Sequence, residues 1–140
     1  KFILNFAIKM ATVKRFEDLE VWKESRKLNT MIANLIREKR FGSDFRFIHQ
    51  VLGSSESVMD NIAEGFERGT KAEFVQFLGY SKGSCSELRS QLYRAFDFHY
   101  IRKDELDILL SLTFQINAMI YGLMNYLKRT NINGHRKKQL

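Results

Sequence analysis

SESVMDNIAEGFERGTKAEFVQFLGYSKGSCSELRSQL, from Ser55 to Leu92, is the stretch on which the fold turns. Apolar and small residues recur at three- and four-residue steps on both sides of Arg68-Gly69-Thr70, which predicts two helices joined by a tight turn. Thr70-Lys71-Ala72-Glu73 has the pattern of a capping box, so the second helix should open at Lys71. The first half closes on Asn61-Ile62-Ala63-Glu64-Gly65, and the second runs from Lys71-Ala72-Glu73-Phe74 through Gly83-Ser84. A glycine inside a helix costs about 1 kcal/mol relative to alanine, so Gly79 and Gly83 are expected where packing compensates, at tight contacts.

Outward from this hairpin the same period continues. Upstream, Ile48, Val51, Leu52, Ser55, Val58, Met59, Ile62, Ala63 and Phe66 form one stripe, placing a helix over Phe45–Glu67. Phe41-Gly42-Ser43-Asp44 is a stop, a turn and a new N-cap. Before it, Phe16, Leu19, Trp22, Leu28, Met31, Ile32, Leu35 and Ile36 predict a first helix from Phe16 to Arg40. Its acids (Glu17, Asp18, Glu20) lie in the first turn and its bases (Arg37, Lys39, Arg40) in the last, complementing the helix dipole. Downstream, the third helix should reach His99. After Tyr100-Ile101-Arg102-Lys103, a fourth runs from Asp104 to Lys128 on Leu106, Leu109, Leu110, Thr113, Ile116, Ile120, Leu123 and Leu127. Met119 and Tyr121 widen its apolar face, as expected of a helix that also meets another subunit.

Four long helices with short turns imply an all-α, up-down-up-down four-helix bundle over residues 16–129. The 140-residue length suits one domain, and the absence of proline favours uninterrupted helices. Residues 1–15 read as an N-terminal extension with Met10 as a natural start, and residues 130–140 as a polar, basic tail. No apolar run approaches the roughly 20 residues needed to span a bilayer. The single cysteine, Cys85, excludes an internal disulfide and reads as a small buried hydrophobe. A reducing, cytoplasmic setting is therefore expected.

Catalytic chemistry finds little support. Asn61 and Glu64 lie three apart on one helical face beside Gly65, yet no nucleophile or acid–base partner accompanies them. His49, His99 and His135 are scattered, and the Glu-x-x-His pairs of di-metal bundles are missing, so neither metal nor cofactor is expected. Asn61 and Glu64 are better read as hydrogen-bonding across the junction of the second and third helices. Trp22, Phe74 and Phe77 match the buried stripes and read as core aromatics.

Charge is the remaining signal. The chain carries a formal +7, and no acid follows Asp107. Lys128, Arg129, Arg136, Lys137 and Lys138 cluster at the C-terminus, and Lys14, Arg15, Arg37, Lys39 and Arg40 flank the first helix. A basic pole that binds RNA or DNA phosphates is one reading. A merely solvated tail on a protein-interaction scaffold is the other.

Several ordered motifs between Phe16 and Lys128 resemble a known family: Phe16-Glu17-Asp18-Leu19-Glu20-Val21-Trp22-Lys23, Gln50, Ser57-Val58-Met59-Asp60-Asn61-Ile62-Ala63-Glu64-Gly65, Glu73-Phe74-Val75-Gln76-Phe77-Leu78, Lys82-Gly83-Ser84 and Glu87-Leu88. The chain resembles the four-helix bundle proteins encoded in intervening sequences of bacterial 23S rRNA genes, which are related to accessory proteins of diversity-generating retroelements. The resemblance makes Trp22, Asn61, Glu64, Gly65, Phe74, Gly83, Ser84 and Glu87 a structural signature. It implies an antiparallel bundle assembling as a ring-like homopentamer without enzymatic activity. It also implies, from the retroelement relatives, association with nucleic acid and a protein partner. Two departures stand out. Asp60 occupies a position where relatives often carry proline, and Val51-Leu52-Gly53-Ser54 replaces a basic pair that many relatives have after the glutamine.

Overall fold

The computed structural model describes residues 10 and 12–130. It contains a 3-10 turn at Phe16–Asp18 and four helices: α1 (Glu20–Arg37), α2 (Phe45–Glu67), α3 (Lys71–Asp97) and α4 (Lys103–Arg129). No strand occurs among the described residues. Of the N-terminal extension, Met10 and Val13 pack against the core; Lys1–Lys9 and residues 131–140 lie outside the described residues.

The first helix is shorter than its periodicity predicts, for two reasons. Leu19 and Val21 are both buried, yet residues two apart point to opposite sides of a helix. The chain resolves this with an extended residue at Leu19 (φ −71°, ψ 124°), which ends the 3-10 turn and caps α1. At the other end Lys39 adopts φ 57°; its N–H donates to the Ile36 carbonyl and that of Arg40 to the Leu35 carbonyl. This is a Schellman stop with lysine in the position that favours glycine. α3 stops two residues before His99 in the same way. His99 takes φ 62°, and the amides of His99 and Tyr100 close on the Phe96 and Ala95 carbonyls. The expected start signals at α2 and α3 are present: Asp44 accepts from the Phe47 amide at 3.2 Å, and Thr70 Oγ1 accepts from the Glu73 amide at 3.2 Å.

The four stripes meet in one core of fully enclosed side chains, among them Leu28, Ile32, Val51, Val58, Ile62, Phe74, Leu78, Leu88, Leu92, Ile116 and Ile120. Helix ends are tied by polar contacts. Arg40, just past α1, grips Glu105 in α4 with two hydrogen bonds of 2.8 and 2.5 Å. Tyr100, after α3, donates to Asp44 at the start of α2 at 2.6 Å. Lys71, opening α3, donates to the Thr130 carbonyl beyond α4.

Two sequence expectations are corrected. Gly79 and Gly83 do not mark tight contacts, since a Cβ added at either would meet nothing within 4 Å. The close approach is at Gly65, where a Cβ would lie 2.6 Å from Phe77 Cβ and 3.1 Å from Phe74 Cδ1. Second, α4 is long and apolar enough to cross a membrane by length and composition, against the expectation that no run qualifies. Its uncharged stretch Ile108–Leu127 is punctuated by Ser111, Thr113, Gln115, Asn117 and Asn125, and 44% of the qualifying window is buried in the bundle. A core helix passes the same test as a spanning one.

The glycine geometry has opposite consequences at two places. Gly65→Ala should destabilise the bundle by about 1–3 kcal/mol, the usual cost of forcing extra volume into a packed contact. Gly79→Ala and Gly83→Ala should each stabilise it by up to about 1 kcal/mol, because the added methyl enters open space and raises helix propensity. Thermal melts followed by circular dichroism read both signs.

The Arg40 guanidinium, chiefly through its hydrogen bonds, holds the Glu105 carboxyl below its ordinary pKa of 4.5. A carboxylate depressed in the folded state contributes stability that is present above its unfolded pKa and lost as pH falls through that range. The melting temperature should therefore fall on acidification below about pH 4.5. Glu105→Gln should lower stability near neutrality by about 1–3 kcal/mol and make the acid loss shallower.

Candidate nucleic-acid interface

The signature residues of the central hairpin differ in what they contact. Asn61 donates from Nδ2 to the Ser57 carbonyl at 2.8 Å and to Ser57 Oγ at 2.9 Å, and Ser57 Oγ lies 2.8 Å from Ser84 Oγ on α3. Asn61 therefore reaches α3 through Ser57 rather than directly. Glu64 differs from expectation: its side chain is exposed and makes no hydrogen bond to α3 among the described residues. Gly65 provides the close approach, with Phe74 fully buried against it. Gly83 and Glu87 are exposed on α3.

Trp22 and Phe77 are half-buried, unlike Phe74. Trp22 meets Phe16 edge-on at 5.1 Å, with Arg26 over its ring at 5.8 Å. Phe77 packs on Tyr80 at 5.4 Å and carries Arg68 at 5.1 Å.

Cys85 is fully enclosed, donates to the Thr113 carbonyl at 3.4 Å, and has its thiol pKa pushed up to about 11 by burial. At neutral pH it is therefore held as the thiol rather than the nucleophilic thiolate. Among the described residues, no three His, Cys, Asp or Glu side chains converge as a metal site. An open groove of about 210 Å³ between α1 and α4 is lined mainly by Met31, Leu35, Ile108 and Leu109, with Glu38 and Glu105 among its polar groups.

The basic residues fall into separate groups. Lys14 and Arg15 are exposed ahead of the 3-10 turn, with Arg15 paired to Glu17 at 3.0 Å. Arg37 hydrogen-bonds Asn34 at 2.9 Å. Lys39 is exposed at the α1 stop, and Arg40 is engaged by Glu105. This second group sits where α4 begins. Lys128 and Arg129 are exposed where α4 ends, roughly 40 Å away at 1.5 Å per residue. The groups at the two ends of α4 cannot form one patch on a single chain. Arg136, Lys137 and Lys138 lie outside the described residues.

A further arrangement escaped sequence reasoning. Across the seam between α3 and α4, Lys82 Nζ stands 5.3 Å from the Tyr121 ring centre, and the Arg89 guanidinium 4.8 Å from that of Phe114. Each pair of like residues is spaced by seven, Lys82 to Arg89 and Phe114 to Tyr121, so the rungs are separated by about 10.5 Å. Both rings keep more than half their surface in solvent, 54% for Phe114 and 57% for Tyr121. Neither cation lies within ion-pair distance of a carboxylate among the described residues. Asn117, between the two rings along α4, has a buried Oδ1 that meets no donor among the described residues. The seven-residue spacings were visible in the sequence, but their registration across two helices was not.

The comparisons with known proteins agree with the architecture. A solved protein of unknown function from the S23 ribosomal protein family of Bacteroides thetaiotaomicron VPI-5482 shares the fold, with a TM-score of 0.70 at 21% identity. The alignment covers 74% of this chain and 97% of that one. No curated protein matches this chain closely. The family profile described as 23S rRNA-intervening sequence protein matches residues 17–122, most of the chain and all of the central hairpin. By that match the chain belongs to the 23S rRNA-intervening sequence protein family.

Proposed function

We propose that this protein is a non-enzymatic, self-associating four-helix bundle that binds the phosphates of RNA or DNA through surface cations. The observation that carries the reading is the polarity of α4. Its acids, Asp104, Glu105 and Asp107, are confined to its start; no acid follows, and it ends in Lys128-Arg129. On a chain of formal charge +7, this concentrates positive potential towards one end, where polyanions are attracted with little sequence preference.

An up-down-up-down course is supported by the tied ends: α1's stop meets α4's start, α2's start meets the residues after α3, and α3's start meets α4's end. Self-association is supported by the outer face of α4. Ile108 is 57% exposed, and Ser111, Gln115, Ala118 and Gly122 follow it on exposed, uncharged positions. A Cβ at Gly122 would meet nothing, leaving room for a second backbone. Interface cores are depleted of charge, and this face has none. A homopentameric ring is the stoichiometry that the family resemblance implies, and a cytoplasmic setting fits the lone reduced cysteine. A protein-interaction scaffold with no nucleic-acid contact is the second reading, favoured by the same neutral face.

The mass of the protein in solution and its binding to nucleic acid test the proposal together. Light scattering should give a particle of several 16.5 kDa chains, five for a ring. Binding to a mixed-sequence RNA should fall steeply with salt. Deleting residues 130–140 should make that dependence shallower, by about 0.7–0.9 in log–log slope for each phosphate that is no longer neutralised. A monomer would remove the assembly, and failure to shift RNA or DNA at low salt would leave the scaffold reading.

A further inference from the structure

Resting on the nucleic-acid reading above, we infer that the seam between α3 and α4 is a binding strip for single-stranded nucleic acid, with Phe114 and Tyr121 as base-stacking platforms and Lys82 and Arg89 as the phosphate contacts beside them. Non-specific single-strand sites combine a positive track with aromatic faces on which bases stack. Both components are present here in one register. Each ring is more than half exposed and has a cation within 5.3 Å of its centre. Neither cation forms an ion pair among the described residues, and α4 carries no charge between Asp107 and Lys128. Beyond the Tyr121 rung, α4 ends at the exposed Lys128 and Arg129, and Lys71 lies against Thr130, so positive charge continues along the same seam.

The spacing suits a stacked strand. Rungs about 10.5 Å apart correspond to about three base steps at 3.4 Å each. A duplex keeps its base faces covered by their neighbours and would meet the cations alone, so the aromatic component selects single strands.

The main competitor for the exposed rings is a second copy of this chain. Two cations without carboxylate partners would be costly to bury against another protein surface, and interface cores are poor in charge. The uncharged positions Ile108, Ser111, Gln115 and Gly122 lie about 60–120° round α4 from Phe114 and lack that penalty, so assembly is assigned to that side, with Ala118 at its boundary with the rings.

Fluorescence anisotropy with a labelled 20-nucleotide oligouridine and with a labelled 20-base-pair RNA duplex tests the inference on the full chain. Wild type should prefer the single strand. Phe114→Leu and Tyr121→Leu, which keep an apolar side chain on the helix, should each weaken oligouridine binding about 5- to 100-fold while leaving duplex binding and the salt slope unchanged. Phe114→Trp should retain single-strand affinity, which a loss through misfolding would not explain. Lys82→Gln combined with Arg89→Gln should instead reduce the single-strand salt slope by about 1.4. Wild-type oligouridine affinity in both Leu variants would overturn the stacking strip while leaving phosphate binding intact. A change in their solution mass would reassign the seam to self-association and also overturn it. Absence of binding to either probe by wild type would remove the underlying nucleic-acid reading as well.

Discussion

The contact at Gly65 sets the geometry of the bundle. α2 and α3 come so close there that a single methyl on Gly65 would collide with Phe77 Cβ, a main-chain-anchored atom that cannot swing aside. Around this point the two helices are stitched by hydroxyls. Ser81 Oγ donates to the Val58 carbonyl at 2.6 Å, and Ser57 meets Ser84. Hydroxyls short enough to bond across the seam also let the backbones approach, so satisfaction of polar groups and close packing share one cause. Phe74, enclosed beside Gly65, is then held against Phe66 at 5.8 Å, edge to face. The remaining helices pack on this pair.

The ends of the bundle follow a different logic. α1 and α3 both close with a Schellman stop whose left-handed residue is not glycine, Lys39 in one case and His99 in the other. The strain is carried because the residues that follow are anchored: Arg40 by Glu105 and Tyr100 by Asp44. Phe41, Phe47, Phe98 and Tyr100 form an aromatic cluster under these contacts, with ring centres 5.3–6.4 Å apart. Arg40 and Asp44 are thus spent on closing this end of the molecule. The cations at the far end of α4 and along the α3–α4 seam are not neutralised in this way, and it is there that an external polyanion has something to meet.

Much of the architecture was legible because it is local. The stripes that define α2 and α4, the Asp44 and Thr70 caps, and the turn at Gly69 all depend on residues within a few positions of each other. The errors arose where a non-local demand overrode a local pattern. Leu19 and Val21 both had to reach the core, so the first helix broke where its periodicity ran on. Gly79 and Gly83 looked like Gly65 in composition, but only the position of α2 distinguishes a glycine at a crossing from one facing solvent. Glu64 sits in the same run as Asn61, yet the turn of the helix points it outward while Asn61 stays at the seam.

The sequence by itself determined four amphipathic helices, their order, the family to which they belong and the drift of charge along the chain, because each is a property of spacing or of composition. Only the tertiary structure decided which glycine sits at a close approach, that Arg40 is spent on Glu105, and that Lys82 and Arg89 stand over Tyr121 and Phe114. These depend on which faces of two distant helices meet and in what register. The hairpin from Ser55 to Leu92 announces that such a meeting occurs; its depth and its phase are set by atoms that are adjacent only in the folded chain.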